Sequence, residues 1–332
     1  MEGLKQIQEE SVDIRESEIL SASPELLSIL LSDHTTNRNI FWATKDYAAN
    51  GSGYDYKDEI TPEKITGEMG TLIMPRVLKE KQLQQARIRD KAEVFTPSWI
   101  CNAQNNLVDN AWFGRENVFN KELEENGVHF WSVNPDIVTF PKGKTWKAYV
   151  KSTRLEITCG EAPYLVSRYD TTTGDYIPVR QRIGLLDRKL RIVGENSSTP
   201  EEWKEWAIVA FKNTYGYEWQ GDNLLLAREA LLFTYVDFYA DKFQIMPSID
   251  DLKEVAEIIS WNVWQMDGLK GVVPDSCHDV APNSLFSDYE PSELNPCPGC
   301  DKNNLYEHNG QYCMIMDWDK NEPIKYISLI KR

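Results

Sequence analysis

Positive charge is scarce in this chain: 36 lysines and arginines stand against 52 aspartates and glutamates, a formal net charge of −16. That excludes a protein that simply coats nucleic acid, because the counterion release that drives such binding needs clustered basic residues. Long apolar runs are missing as well. No stretch approaches the roughly 18 apolar residues of a membrane helix, and the opening MEGLKQIQEESVDIRESE has no apolar signal core. The expectation is a soluble, cytoplasmic protein with no membrane partner. Cysteine is sparse, with six residues, and histidine sparser, with four. Without an export signal those cysteines do not read as a disulfide framework. No internal repeat is visible. What is present, 41% hydrophobic and 27% charged residues over 332 positions, suffices for a folded core in one large domain or two.

The chain divides into three parts: a helical and loop-rich region over 1–91, an α/β region over 92–275, and a cysteine-bearing region with short strands over 276–332. SPELLSILLSD (23–33) predicts a helix behind Ser23, with Pro24 at its first position. Residues 50–72 read as a long loop. Over 74–91 a helical composition carries six basic residues and two acidic ones from Arg76 to Lys91, either a solvated face or a phosphate-contacting helix. After Pro97 a helix follows. TRLEITCGEAPYLVSRYD (153–170) reads as strand, turn and helix, and RIGLLDRKLRIV (182–193) as a second strand reaching Asp187. Helices are expected over 200–243, the first behind Thr199 and Pro200 with Gly216 as its stop, and over 248–260. WNVWQMDG (261–268) reads as a third strand ending at Asp267. Strand–helix alternation of this kind predicts a parallel sheet.

Three acidic strand ends carry the functional signal. Glu156-Ile157-Thr158-Cys159-Gly160-Glu161-Ala162-Pro163 joins a strand to a tight turn of small residues, which lets backbone amides approach a ligand at the carboxyl edge of the sheet. Asp187 closes the second predicted strand where a ribose diol would sit. Asp267 closes the third, where an adenine amine would. Any one of these acids could instead cap a following helix; three in order favour a nucleoside site.

These segments resemble the adenine-type DNA methyltransferases, the modification subunits of restriction-modification systems. Glu93-Val94-Phe95-Thr96-Pro97 looks like the family's F-x-T-P element, and ITCGEAP like its cofactor turn, with Glu156 in the acidic place. IGLLDRKL and WNVWQMDGL are similar to its ribose and adenine elements. The resemblance spans roughly residues 25–330 and implies a Rossmann-like sheet binding S-adenosylmethionine. Phe95, Thr96 and Pro97 would hold the methionine end, and Glu156 and Gly160, with Thr158 and Cys159 in the same turn, would lie beneath it. Asp187 would take the ribose hydroxyls and Asp267 the adenine. Glu161 and Ala162 depart from the usual Thr and Gly of that turn. The family's Asn/Asp-Pro-Pro-aromatic tetrapeptide, which grips the flipped base, is absent; Asn295-Pro296-Cys297-Pro298 and Asn321-Glu322-Pro323 lack a following aromatic. Catalytic residues are therefore not identifiable. The resemblance implies an incomplete sheet, a cofactor-binding half that meets DNA through a complex and needs a second methyltransferase or specificity subunit. The alternative is a non-catalytic assembly or regulatory protein of a restriction or phage-defence locus.

Four of the six cysteines crowd together. Cys277, Cys297, Cys300 and Cys313 follow a C-x19-C-x2-C-x12-C pattern around a Cys-Pro-Gly-Cys knuckle, the spacing of a closed structural zinc site. His278 and His308 are reserve ligands. Cys101 and Cys159 read as buried thiols.

Overall fold

A computed structural model describes residues 12–79, 96–280 and 294–330. Near the start, the leucines of PELLSILL fall at helical spacing. Helices α1 (Glu16–Ala22) and α2 (Pro24–Leu31) form there, and Leu26, Leu27, Leu30 and Leu31 are fully buried. A short antiparallel pair, β1 (Ser32–Asp33) and β2 (Arg38–Asn39), and a single helical turn, α3 (Pro62–Ile65), follow. Helix α4 (Ser98–Phe113) begins behind Pro97 and stops at Gly114, whose left-handed backbone ends it. Next comes a hairpin, β3 (Asn120–Glu125) and β4 (Val128–Val133), around Asn126-Gly127, a dipeptide suited to the positive φ both residues adopt. Helix α5 (Trp146–Val150) is capped by the Thr145 hydroxyl.

Three strands then build a parallel sheet in the order β5 (Arg154–Ile157), β6 (Thr214–Glu218), β7 (Val263–Gln265). Parallel neighbours require crossovers. Helices α6 (Leu185–Asn196) and α7 (Pro200–Lys212) make the first, and α8 (Gly221–Phe243) and α9 (Ile249–Asn262) the second. Thr199 accepts the amide of Glu202 at the start of α7, and Ser248 accepts that of Asp251 at the start of α9. Most of α8 is buried, as its nearly continuous apolar circumference demands.

The expected mixed α/β character is present, with small sheets. The second predicted strand is not. Residues 185–196, including the LLDRKLRIV run, form α6, and the middle strand is the Thr-Tyr-Gly-Tyr-Glu segment of β6. Gly216 therefore lies inside a strand rather than ending a helix: α7 stops at Lys212 and the chain enters the sheet two residues later. No helix follows the 158–163 turn directly.

The helices before residue 80 share one apolar core with α6 to α9, in which Leu27, Trp42 and Ile60 join Leu190, Trp203 and Leu232. Arg228 locks these parts together: fully buried, its guanidinium donates to the carbonyls of Leu30, Ser32, Ser260 and Val263. A second cluster covers the other face of β6 and β7. Tyr217, Trp264 and Met266 pack there with Cys313 and Ile315, beneath the hairpin β8 (Met314–Asp317) and β9 (Glu322–Lys325). That cover does not reach β5. Leu155 and Ile157 on the same face are 41% and 63% exposed, and among the described residues no strand pairs with the outer edge of β5. Among the described residues no helix is long and apolar enough to cross a membrane.

Candidate functional site

The turn that leaves β5 is backbone-strained. Thr158, Gly160 and Ala162 all adopt left-handed φ, +46°, +54° and +59°. For the β-branched Thr158 this is a costly conformation. Two carboxylates hold the turn from either side. Glu156, half-buried in β5, accepts the amides of Tyr164 at 3.4 Å and Leu165 at 3.1 Å. Glu218, at the end of β6, accepts the amide of Gly160 at 2.8 Å. Burial, with the charge of Glu218 added, pushes Glu156 well above the usual carboxylate range against the pull of those two amides. Burial likewise raises Glu218.

Above this turn lies a cavity of about 980 Å3, lined by Thr96, Glu156, Thr158, Gly160, Glu218 and Trp219, with Asn105 and Tyr164 on the facing wall. It sits at the carboxyl ends of β5 and β6, where open parallel sheets bind ligands, and its size is at the upper end of the roughly 300–1,000 Å3 of small-molecule sites. Asn105 braces the wall by donating to the carbonyls of Tyr164 and Ile183, each at 3.0 Å.

Of the residues predicted for the cofactor, Thr96, Glu156, Thr158, Cys159 and Gly160 come together in this wall. Pro97 is adjacent as the residue before α4, and Phe95 lies outside the described residues. Asp187 does not take part. It is the third residue of α6, buried, and its carboxylate accepts the amides of Gly184 and Ser167 and the Ser167 hydroxyl at 2.8–2.9 Å. It is a helix-start brace because the segment carrying it is a helix and not a strand. Asp267 also misses the cavity lining. It lies two residues beyond the end of β7, buried, where its carboxylate accepts the amide of Leu269 and pairs with Lys270 at 3.3 Å, closing a tight turn. The acid at the end of the middle strand is Glu218, hidden in the sequence because Gly216 of TYGYE reads as a helix stop. Alternating Tyr residues after a helix cap are the signal that reveals it. Glu161 is also in the lining, but it is buried and its carboxylate accepts the Arg76 amide at 2.7 Å and the Tyr169 hydroxyl at 2.6 Å.

A second constellation lies near the C-terminus. Cys277, Cys297, Cys300 and His308 place one ligand atom each within 4.8 Å of all the others. The His308 Nδ1 stands 3.6 Å, 3.7 Å and 3.6 Å from the three sulfurs in that order. A zinc ion with ordinary bond lengths of about 2.3 Å to sulfur and about 2.05 Å to nitrogen spans a tetrahedral S···N edge of about 3.6 Å. The group can therefore hold a metal such as zinc with little movement. Helix α10 (Pro298–Asp301) forms the knuckle turn. Its Gly299 has no substitute, since a Cβ there would lie 2.5 Å from the His308 amide nitrogen.

The fourth member of this group is His308 and not Cys313. Cys313 is buried under the second core, with its thiol 3.4 Å from the Gln265 carbonyl and facing the sheet. Its position next to β8 commits it to packing. Within the cluster, burial pushes Cys297 up, but the amides of Asn309, Cys300 and Gly299 and the His308 ring outweigh that and hold its thiol at about 6. Such a thiol is ready to ligate as thiolate.

No family model matches this chain, and no curated protein or solved structure matches it either.

Proposed function

We propose that the cavity above the β5 turn binds S-adenosylmethionine and that the chain is the cofactor-binding subunit of a DNA adenine methyltransferase of a restriction-modification system. The observation that carries this reading is the pairing of Glu218 with Gly160 in the lining of the cavity. A carboxylate at the end of the strand beside the cofactor turn suits a ribose diol, and Glu218 retains lone pairs for it beyond the amides of Gly160 and Gln220 that it accepts. Trp219, next in sequence and in the wall, offers an aromatic surface to an adenine. Glu156, held by two amides, keeps the turn in shape beneath the ligand.

The bound cofactor would supply a methyl group to the exocyclic amine of adenine. The residues here would bind and orient it, and such positioning accounts for much of the barrier lowering in transfers of this type. The groups that grip the base would come from a second polypeptide. The uncovered edge of β5 supports that division. Parallel sheets are ordinarily covered on both faces, and an exposed strand with Leu155 and Ile157 facing solvent is a pairing surface that proteins otherwise protect. The Cys3His group would act as a structural zinc site.

The test is transfer of labelled methyl groups to adenine-containing DNA, with the chain alone and with the product of the neighbouring reading frame. The reading expects transfer only from the pair. Turnover by the isolated chain would overturn the split. Failure of the pair to transfer, together with absence of cofactor binding, would favour a non-catalytic assembly or regulatory role.

A further inference from the structure

The metal group and the cavity are joined by a short line of residues. Cys277 follows a tight turn in which the Ser276 amide donates to the Val273 carbonyl at 3.1 Å. Pro274 and Asp275 occupy its centre, and Asp275 takes the left-handed φ of +51° that such a turn asks of its third residue. The segment is laced to the residues after His308. The Val273 amide donates to the Gln311 carbonyl at 2.8 Å, and the Gln311 amide to the Ser276 hydroxyl at 3.0 Å. Asn309 exchanges hydrogen bonds with the backbone of His278 at 3.1 Å and 2.6 Å. Two ligands, Cys277 and His308, thus anchor the two strips of chain that hold Asp275.

On the other side, the Asp275 carboxylate borders Tyr56. The Tyr56 hydroxyl accepts the indole N–H of Trp219 at 3.1 Å, and Tyr56 and Trp219 both line the cavity.

We propose that metal bound by Cys277, Cys297, Cys300 and His308 sets the cavity wall through Asp275, Tyr56 and Trp219, so that the metal site controls nucleoside affinity from a distance. Asp275 and Tyr56 are positioning residues. This proposal rests on the cofactor reading for its affinity arm only. The Trp219 indole donates to the Tyr56 hydroxyl, and Tyr56 shares a surface pocket with Asp275, two residues before Cys277 of the metal group.

The experiment is a cycle on the full chain with zinc loaded and removed, in the wild type and in Asp275→Gly. Glycine keeps the left-handed turn and deletes the carboxylate. Amide hydrogen exchange is followed over 54–58 and 217–222, and S-adenosylmethionine affinity by calorimetry. Zinc removal from the wild type is expected to speed exchange in both segments and weaken binding about 10-fold, a usual size for coupling between sites. Zinc-loaded Asp275→Gly is expected to keep its metal and show the same changes, as is Tyr56→Phe. Removing zinc from Asp275→Gly should then add little, because the line is already cut. Unchanged exchange in zinc-loaded Asp275→Gly, or a full additive loss when its zinc is removed, would overturn the proposal. If chelation loosens the whole chain, the zinc-loaded variants decide. If the zinc-loaded wild type binds no cofactor, the cofactor reading fails while the exchange arm still judges the coupling.

Discussion

The Glu218 carboxylate accepts the Gly160 amide at 2.8 Å, tying the end of β6 to the turn that leaves β5. This one contact joins a buried acid, a left-handed glycine and the lining of the cavity at the sheet edge.

The strained turn gives a pair of opposed outcomes. Thr158 holds φ +46° with its hydroxyl donating to the neighbouring Ile157 carbonyl. Thr158→Gly is expected to stabilise the fold by about 1 kcal/mol in urea titrations, by relieving that conformation. Gly160 has open space around a built Cβ but the same backbone hand. Gly160→Ala should therefore cost about 1 kcal/mol from conformation alone.

The metal centre makes a ligand-exchange prediction. Purified protein never exposed to chelator should carry one equivalent of zinc. His308→Ala should lower zinc affinity by at least about 10-fold, whereas Cys313→Ala should leave zinc content unchanged because that thiol faces Gln265. Gly299→Ala should lose the metal, since its Cβ would collide with His308. Metal analysis by mass spectrometry reads all three.

A pH dependence follows from the contact of α1 with α8. Glu16 and Glu229 are buried there, and among the described residues no other side chain or backbone group hydrogen-bonds to their carboxyl oxygens. Burial pushes both well above the usual carboxylate range, and Asp13 adds to both, Glu16 also to Glu229. A carboxyl raised on folding binds its proton more tightly in the folded state. Its contribution is complete below the unfolded value near 4.3 and falls as pH climbs through the raised one. Stability measured by urea titration should decline as pH rises above that unfolded value. Glu229→Gln should flatten the decline, and a variant with the full wild-type slope would contradict this account.

Much of the helical framework is legible from local chemistry. Thr199-Pro200 and Ser248 announce α7 and α9, and the leucines of 24–31 announce α2, because caps and apolar period act within a few residues. The sheet is less legible. LLDRKLRIV is apolar enough for a strand, yet its Leu186, Leu190 and Val193 also fit one helical face, and packing beside α7 and α8 selects the helix. TYGYE hides its strand behind a central glycine. That pair of misassignments placed the acid at the end of the middle strand at Asp187 instead of Glu218. The metal knuckle is visible in Cys297-Pro298-Gly299-Cys300, but the choice of His308 over Cys313 depends on how the 304–312 loop returns to the knuckle, which ligand spacing does not encode.

Calorimetric titration of the zinc-loaded chain with S-adenosylmethionine tests the central claim most directly. The account predicts saturable binding at one site, weakened at least about 10-fold in Glu218→Ala by loss of a charge-assisted contact, and unchanged in Asp187→Asn provided that variant folds. Absence of binding, or binding that Glu218→Ala leaves intact, would contradict it.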